Sequence, residues 1–256
     1  LTGMELVRVR RVLELAAEYA RFLTAAEDIL SSDAELLAPN GVLLGRLQDG
    51  LDVDGVLLDT ASPELARLRQ QLRIQRAQVQ QQLKGLLQER ERRDIWQDPH
   101  VVQRGGRFLL PVKAYFKGRL RGIVHDRSAS GETLFIEPLA VVEQNNLLVE
   151  VEAAQRQEEE RILRSLTTLL GSEAERLQLT LQRMGRLEAV RAGLELGAAW
   201  DGTIPLLRDS PSFGLRALRH PLLVLRHGSA VVANDLALGS EAKQLLITGP
   251  NTGGKS

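Results

Sequence analysis

Ser62-Pro63-Glu64-Leu65-Ala66-Arg67-Leu68 opens the longest helical signal in the chain. Ser is a strong N-cap, Pro is pre-organised for the first helical position, and an acid there complements the helix dipole. No Pro interrupts the sequence from Pro63 to about Asp98, so the spacing predicts a helix on the order of 50 Å long at 1.5 Å per residue. Its apolar stripe, Leu65, Leu68, Leu72, Val79, Leu83 and Leu86, is narrow, and Gln75 to Gln82 is mostly Gln and Arg. Such a helix is not surrounded by core; it needs one partner along a coiled-coil-like seam.

The partner lies downstream. From about Leu139 to Trp200 a second helical stretch carries Leu147, Val151, Ile162, Leu166, Leu169, Leu177, Leu181, Met184, Leu187 and Val190 as its apolar positions. Its middle, Glu152 to Arg161, is almost wholly polar and reads as a solvated face. Two thin helices running in opposite directions predict an arm projecting from a body.

Between them, Arg107-Phe-Leu-Leu-Pro-Val-Lys113, Arg119-Leu-Arg-Gly-Ile-Val124 and Thr133-Leu-Phe-Ile-Glu137 are short β-rich runs, separated by Lys117-Gly118 and Ser128-Ala-Ser-Gly131. This predicts a small β module at the tip of the arm. Arg104, Arg107, Lys113, Lys117, Arg119, Arg121 and Arg127 face only Asp126 and Glu132 in this count, an excess of five positive charges in a chain of zero net charge. Phe108, Tyr115, Phe116 and Phe135 also lie here. A basic, aromatic tip fits contact with nucleic-acid phosphates. It equally fits a small β module that needs aromatics for its own core. No recognition helix or zinc finger is present, so contact would be sequence-independent.

Upstream, Leu6, Val9, Leu13, Ala16, Ala20 and Leu23 paint one stripe on a core-facing helix. Pro39-Asn40-Gly41 breaks the pattern, and Asp52-Val53-Asp54-Gly55 reads as a carboxylate-rich turn, not a calcium loop. At 256 residues, with 43% hydrophobic and 26% charged residues, the composition is that of a folded chain of about two domains. Cysteine is absent, which fits a reducing cytoplasm and excludes disulfides and thiolate metal sites. There is no membrane-length apolar run, and Leu1-Thr2-Gly3 does not read as a secretory leader. His100, His125, His220 and His227 are scattered without metal-ligand spacing.

After Trp200, Leu222-Leu-Val-Leu225, Ala230-Val-Val-Ala233 and Leu245-Leu-Ile247 read as short strands leading into Gly249-Pro250-Asn251-Thr252-Gly253-Gly254-Lys255-Ser256. That last octet fills the pattern G-x-x-x-x-G-K-[ST]. Its glycines let backbone N–H groups converge on phosphate oxygens, Lys255 reaches the terminal phosphates, and the Ser256 hydroxyl binds magnesium. ATP and Mg are the expected ligands. A working ATPase needs further parts, including a second acidic magnesium ligand, that no residue up to Ser256 supplies. The chain starts without Met and stops inside a motif, which predicts a piece of a larger protein that turns over no ATP by itself and has no catalytic residue of its own.

The order of these motifs resembles a known family. Thr248-Gly-Pro-Asn-Thr-Gly-Gly-Lys-Ser256, preceded by Arg219-His-Pro-Leu-Leu223 and Val232-Ala-Asn-Asp-Leu236, resembles the start of the MutS-type ATPase domain. Asp54-Gly-Val-Leu-Leu-Asp-Thr-Ala-Ser-Pro-Glu-Leu65, Leu110-Pro-Val-Lys113, Gly122-Ile-Val-His-Asp-Arg-Ser-Ala-Ser-Gly131 and Thr133-Leu-Phe-Ile-Glu-Pro138 look like the second bacterial MutS subfamily, MutS-II. The resemblance implies a base-lining role for Asn234, although Ala233 stands where the family often has Pro. Ser256 stands where this subfamily usually has Thr and keeps the hydroxyl.

The resemblance also implies an organisation: a helical core and lever at 1–61, an outgoing arm helix at 62–99, a β-rich clamp at 100–138, returning helices at 139–200, and the beginning of a P-loop α/β ATPase domain at 201–256. It implies that the intact protein is a homodimeric ATPase with an associated nuclease-like Smr domain. Its target would be branched recombination DNA or stalled ribosomes, and phosphate contacts look alike in both. A passive nucleic-acid or protein-binding arm without enzymatic activity is the alternative. A mismatch sensor is the third reading; Phe135-Ile136-Glu137 has the form of a mismatch wedge but sits in the clamp-like β segment.

Overall fold

The computed structural model describes residues 1–25, 34–35, 37–207, 209, 212–239 and 244–246. Two compact units divide the chain, Leu1–Leu181 and Gln182–Ser256. The fold is mainly α with small antiparallel sheets.

In the first unit, α1 (Gly3–Ala25) and α2 (Gly41–Gly50) pack at the base. α1 buries Leu6, Leu13, Ala16, Ala20 and Leu23 as the stripe predicts, together with Val7 and Arg10; Val9 is half-buried. Arg10 is tolerated inside because its guanidinium donates to the carbonyls of Leu47, Leu51 and Asp52. Asn40 caps α2, its Oδ1 accepting from the Val42 and Leu43 N–H groups. Asp52 is a turn former: its Oδ1 accepts from the N–H of Asp54 and of Val56 at 2.9 and 2.8 Å. The glycine of that turn is required, because Gly55 has φ +79° and a Cβ there would lie 2.5 Å from the Met4 nitrogen.

α3 (Pro63–Gln88) starts where the sequence predicts, with Ser62 Oγ accepting from the Glu64 and Leu65 N–H groups. It stops ten residues short of Asp98. Glu89 turns extended, a 3-10 segment runs over Arg90–Ile95, and Trp96 bridges to Val112 of the sheet. Local sequence holds no breaker there; burial of Ile95 and Trp96 in the core beneath the sheet overrides helix propensity. α4 (Val142–Ser172) runs back antiparallel to α3, and the chain breaks at Glu173 before α5 (Ala174–Trp200).

Two apolar cores sit at opposite ends of the α3–α4 pair. One joins Leu6, Leu13, Leu43, Leu47 and Leu65 to Ile162, Leu166 and Leu170. The other joins Leu72, Val79 and Leu83 to Leu148, Val151 and the sheet residues Phe108, Leu110, Val112, Leu134 and Ile136. Between them lies the polar stretch Glu152 to Arg161, and here the expectation of a solvated face is corrected in part: Ala153, Arg156, Gln157, Glu160 and Arg161 are exposed, but three of the acids are drawn into contacts with α3 and its cap. Arg76 pairs with Glu152 at 2.7 Å and Arg69 with Glu159 at 3.0 Å, and Glu158 is buried against Ser62. Glu152, Glu158 and Glu159 form the seam.

The sheet has the order β1-β2-β4-β3, all antiparallel: β1 (Val102–Arg104), β2 (Arg107–Lys113), β3 (Gly122–Arg127) and β4 (Thr133–Pro138). β2 and β4 match the sequence reading. The third run is displaced: Ala114–Arg119 forms a 3-10 segment and the strand begins at Gly122.

In the second unit, β5 (Phe213–Leu218) pairs antiparallel with β6 (Asn234–Leu238), and α6 (Pro221–His227) lies between them in sequence. Two expected strands are therefore corrected. Leu222 to Leu225 is helical, because Pro221 at N1 nucleates a turn whose Leu223 and Val224 N–H groups reach the His220 carbonyl. Ala230 to Ala233 is a 3-10 turn and bend, with the strand starting at Asn234. A four-residue apolar run has too few residues for its period to separate strand from helix. Leu245 and Leu246 have no regular structure; Ile247 and the octet Gly249 to Ser256 lie outside the described residues.

Candidate nucleic-acid interface

Seven basic residues were predicted to share one surface, and the sheet sorts them. Arg107 is half-buried and turned to structural use: its Nη1 donates to Glu137 at 2.7 Å and its Nη2 to Asn146 Oδ1 at 2.6 Å. Arg104 is ion-paired with Asp126, and its guanidinium lies 3.7 Å over the Phe135 ring. The Arg127 N–H and the Arg104 guanidinium together hold the Asp126 carboxyl below its ordinary range. Lys113 Nζ donates to the Asp94 carbonyl at 3.0 Å. Three of the seven are thus engaged within the module.

The other four are displayed. Lys117, Arg121 and Arg127 are exposed and have no ion pair among the described residues, and the Arg119 guanidinium lies 5.5 Å over the Phe116 ring. Lys117 and Arg119 lie on the 3-10 segment, Arg121 just before β3 and Arg127 at its end; the six residues of β3 are all exposed, while β2 and β4 are largely buried. The free cations therefore occupy the edge and turn of the module. Arg90 and Arg93, exposed on the 3-10 segment that ends α3, add two cations that the sequence reading left out.

Beneath this edge lies a buried polar network that spacing alone did not reveal. Glu137 is fully buried; its Oε1 accepts from Arg107 and from Asn145 Nδ2 at 2.8 Å, and its Oε2 lies 2.5 Å from His125 Nε2. Asn145, also fully buried at the start of α4, completes the Phe108 backbone: it accepts the Phe108 N–H and donates to the Phe108 carbonyl, both at 3.0 Å. The network ties the sheet to the returning helix. One sequence signal could have found it: Glu137 is a lone acid in the otherwise apolar run Thr133 to Pro138, and a buried acid requires partners. That third acid also lowers the excess charge of residues 101–138 from five to four.

β3 is held close to β4. A Cβ on Gly122 would lie 2.3 Å from the Glu137 carbonyl oxygen, and the register slips between Val124 and Asp126 so that His125 bulges toward Glu137. Such a bulge and its neighbouring charges protect an exposed strand from pairing with another chain. Phe135 and Glu137, the wedge-like pair, are buried in a central strand and presented to no ligand. Asn234 is exposed at the first position of β6. Among the described residues no group of three or more His, Cys, Asp or Glu is arranged to hold a metal, and no helix is long and apolar enough to cross a membrane.

No protein-family model matches the chain. It aligns with proteins named Endonuclease MutS2: at 36% identity with that of Shouchella clausii, 35% with that of Latilactobacillus sakei and 36% with that of Listeria welshimeri. Each alignment takes in 100% of this chain and 33% of the relative, so the chain spans about a third of the length of the curated relatives it matches. Over its whole length the chain is similar to these MutS2 proteins and is MutS-II-like.

Proposed function

We propose that this chain is the lever and clamp portion of an ATP-dependent nucleic-acid-binding protein, and that it grips phosphate backbones through Lys117, Arg119, Arg121 and Arg127. The observation that carries the reading is the division of labour among the cations. Arg104, Arg107 and Lys113 are consumed by internal partners, whereas the turn and edge strand keep theirs exposed. Unpaired surface cations on one rigid edge release counterions when they meet a nucleic-acid backbone, which supplies affinity without sequence preference.

In the intact protein, ATP with Mg bound by Gly249 to Ser256, and with Asn234 beside the base, would set the position of the levers in a homodimer. The ATP and Mg assignment rests on the P-loop pattern, and Asn234 and the homodimer on the likeness to MutS-II. The endonuclease named in the relatives, and a target that is either branched DNA or a ribosome, belong to the same proposal. The α3–α4 seam suits a lever, because its ion pairs and its two end cores couple base to tip as one body.

The test is equilibrium binding of duplex DNA and of an RNA helix across a salt series. Replacing Lys117, Arg119, Arg121 and Arg127 by Ala should lower the affinity and flatten the dependence of log K on log salt, by about 0.9 for each DNA phosphate contact removed. An unchanged slope would exclude this edge as the grip.

A further inference from the structure

The 3-10 segment Ala114–Arg119 presents two adjacent aromatic residues to opposite environments. Phe116 is half-buried and packs on the core beneath the sheet. Tyr115 is 91% exposed, the most exposed aromatic side chain among the described residues. The two rings meet edge to face, 5.2 Å between centroids at 84°, and Arg119 lies over the Phe116 ring. Phe116 therefore acts as an anchor, braced from both sides, that fixes the backbone from which Tyr115 projects. Lys117 flanks it, and Gly118 has open space where a side chain would be. Glu132 approaches the segment through its backbone carbonyl, which accepts the Ala114 N–H.

We propose that Tyr115 is a stacking platform for an unpaired base, so that the clamp recognises nucleic acid carrying an exposed nucleotide, such as a gap or a loop. The proposal rests on the clamp reading above and names its substrate class. A base inside a continuous duplex has both faces covered by its neighbours, whereas an unpaired one within the strand offers a face to a ring. A displayed aromatic with cations beside it is the arrangement that single-stranded nucleic acids select, phosphate on the cation and base on the ring. Stacking is tolerant of sequence.

Two probes test it: a blunt duplex, and the same duplex with a short single-stranded gap containing 2-aminopurine, each titrated with this chain. The gapped probe should bind about tenfold more tightly than the blunt one, with quenching of 2-aminopurine. Tyr115→Ala should abolish both the preference and the quenching while leaving the blunt-duplex affinity in place, and Tyr115→Phe should keep them. Tyr115→Ala gives up the edge contact with Phe116, whereas Tyr115→Phe keeps the ring, and an unchanged blunt-duplex affinity shows that the segment itself has not shifted. An absence of preference in the unsubstituted chain, or a gap affinity and quenching that Tyr115→Ala leaves unchanged, overturns the platform. Equal weakening of both probes by Tyr115→Ala also overturns it, since the ring would then be a general contact. The double replacement Lys117→Ala with Arg121→Ala separates the two levels. If it weakens both probes, the clamp reading holds whatever Tyr115 does; if it weakens neither, the clamp reading fails and the platform falls with it.

Discussion

The Ser62 hydroxyl donates to the buried Glu158 carboxylate at 2.6 Å, across 96 residues of sequence, while the same oxygen accepts from the first N–H groups of α3. One atom thereby caps the outgoing helix and fastens it to the returning one. Arg161 completes the site with two bonds to Glu158, at 2.6 and 2.7 Å.

Replacing Ser62 by Ala removes both functions. The loss of an N-cap costs about 0.5–2 kcal/mol, and the buried Glu158 loses a donor besides, so the expected destabilisation lies at or above the upper end of that range. Chemical denaturation of the chain and its variant measures it.

Glu158 also makes the seam sensitive to acid. Arg161 first, then Ser62, lower its carboxyl from the ordinary 4.5 to about 2. A depressed folded-state value means that the stabilisation is complete above the unfolded value and is lost as pH falls from about 4.5 through about 2. Glu158→Gln should reduce the pH dependence of unfolding inside that window and leave it unchanged at neutral pH, which a denaturation series between those limits reads directly.

Asn145→Ala strips the Phe108 N–H and carbonyl of their partners and removes one donor from the buried Glu137. Buried polar groups left unsatisfied cost about 1–3 kcal/mol each, so a loss of about 3 kcal/mol is expected, with faster amide exchange along β1 and β2.

Gly122→Ala places a methyl carbon 2.3 Å from the Glu137 carbonyl oxygen, which belongs to backbone and cannot swing aside. Overpacking of this kind costs about 1–3 kcal/mol. The edge strand should separate from β4, and hydrogen exchange at Val124 and Asp126 should rise more than at Leu110 or Val112.

Arg104 and Arg121 separate structural from displayed charge. Arg104→Ala should lower stability, through loss of Asp126 and Phe135 as partners, with little change in the salt dependence of nucleic-acid binding. Arg121→Ala should do the reverse, and paired melting and salt-titration measurements distinguish the two.

Much of the architecture was legible because its causes are local. Ser62-Pro63-Glu64 determined where the outgoing helix begins, since capping and φ pre-organisation act within one turn. The period of Leu65, Leu68, Leu72, Val79, Leu83 and Leu86 identified the buried face: the first five are buried and Leu86 is half-buried. Leu147 and Leu169 are half-buried and the helix buries Leu148 and Leu170 instead, because in a run of neighbouring leucines the facing helix selects which one enters the core; the rest of the expected stripe is corrected, since Leu181 and Val190 are exposed, Leu177, Met184 and Leu187 are half-buried, and α5 buries Thr180.

The chain's residues by themselves determined a mainly α fold, the position of the β interruption and the family likeness, all of which follow from short-range pattern and order. Tertiary structure decided where α3 ends, that Glu152, Glu158 and Glu159 form a seam, and which of seven cations stay displayed. Each of those depends on partners tens of residues away: Trp96 on Val112, Glu158 on Ser62, Arg107 on Glu137. A charge counted along the sequence has no partner until the fold brings one, and what remains unpaired afterwards is what the molecule can offer to a ligand.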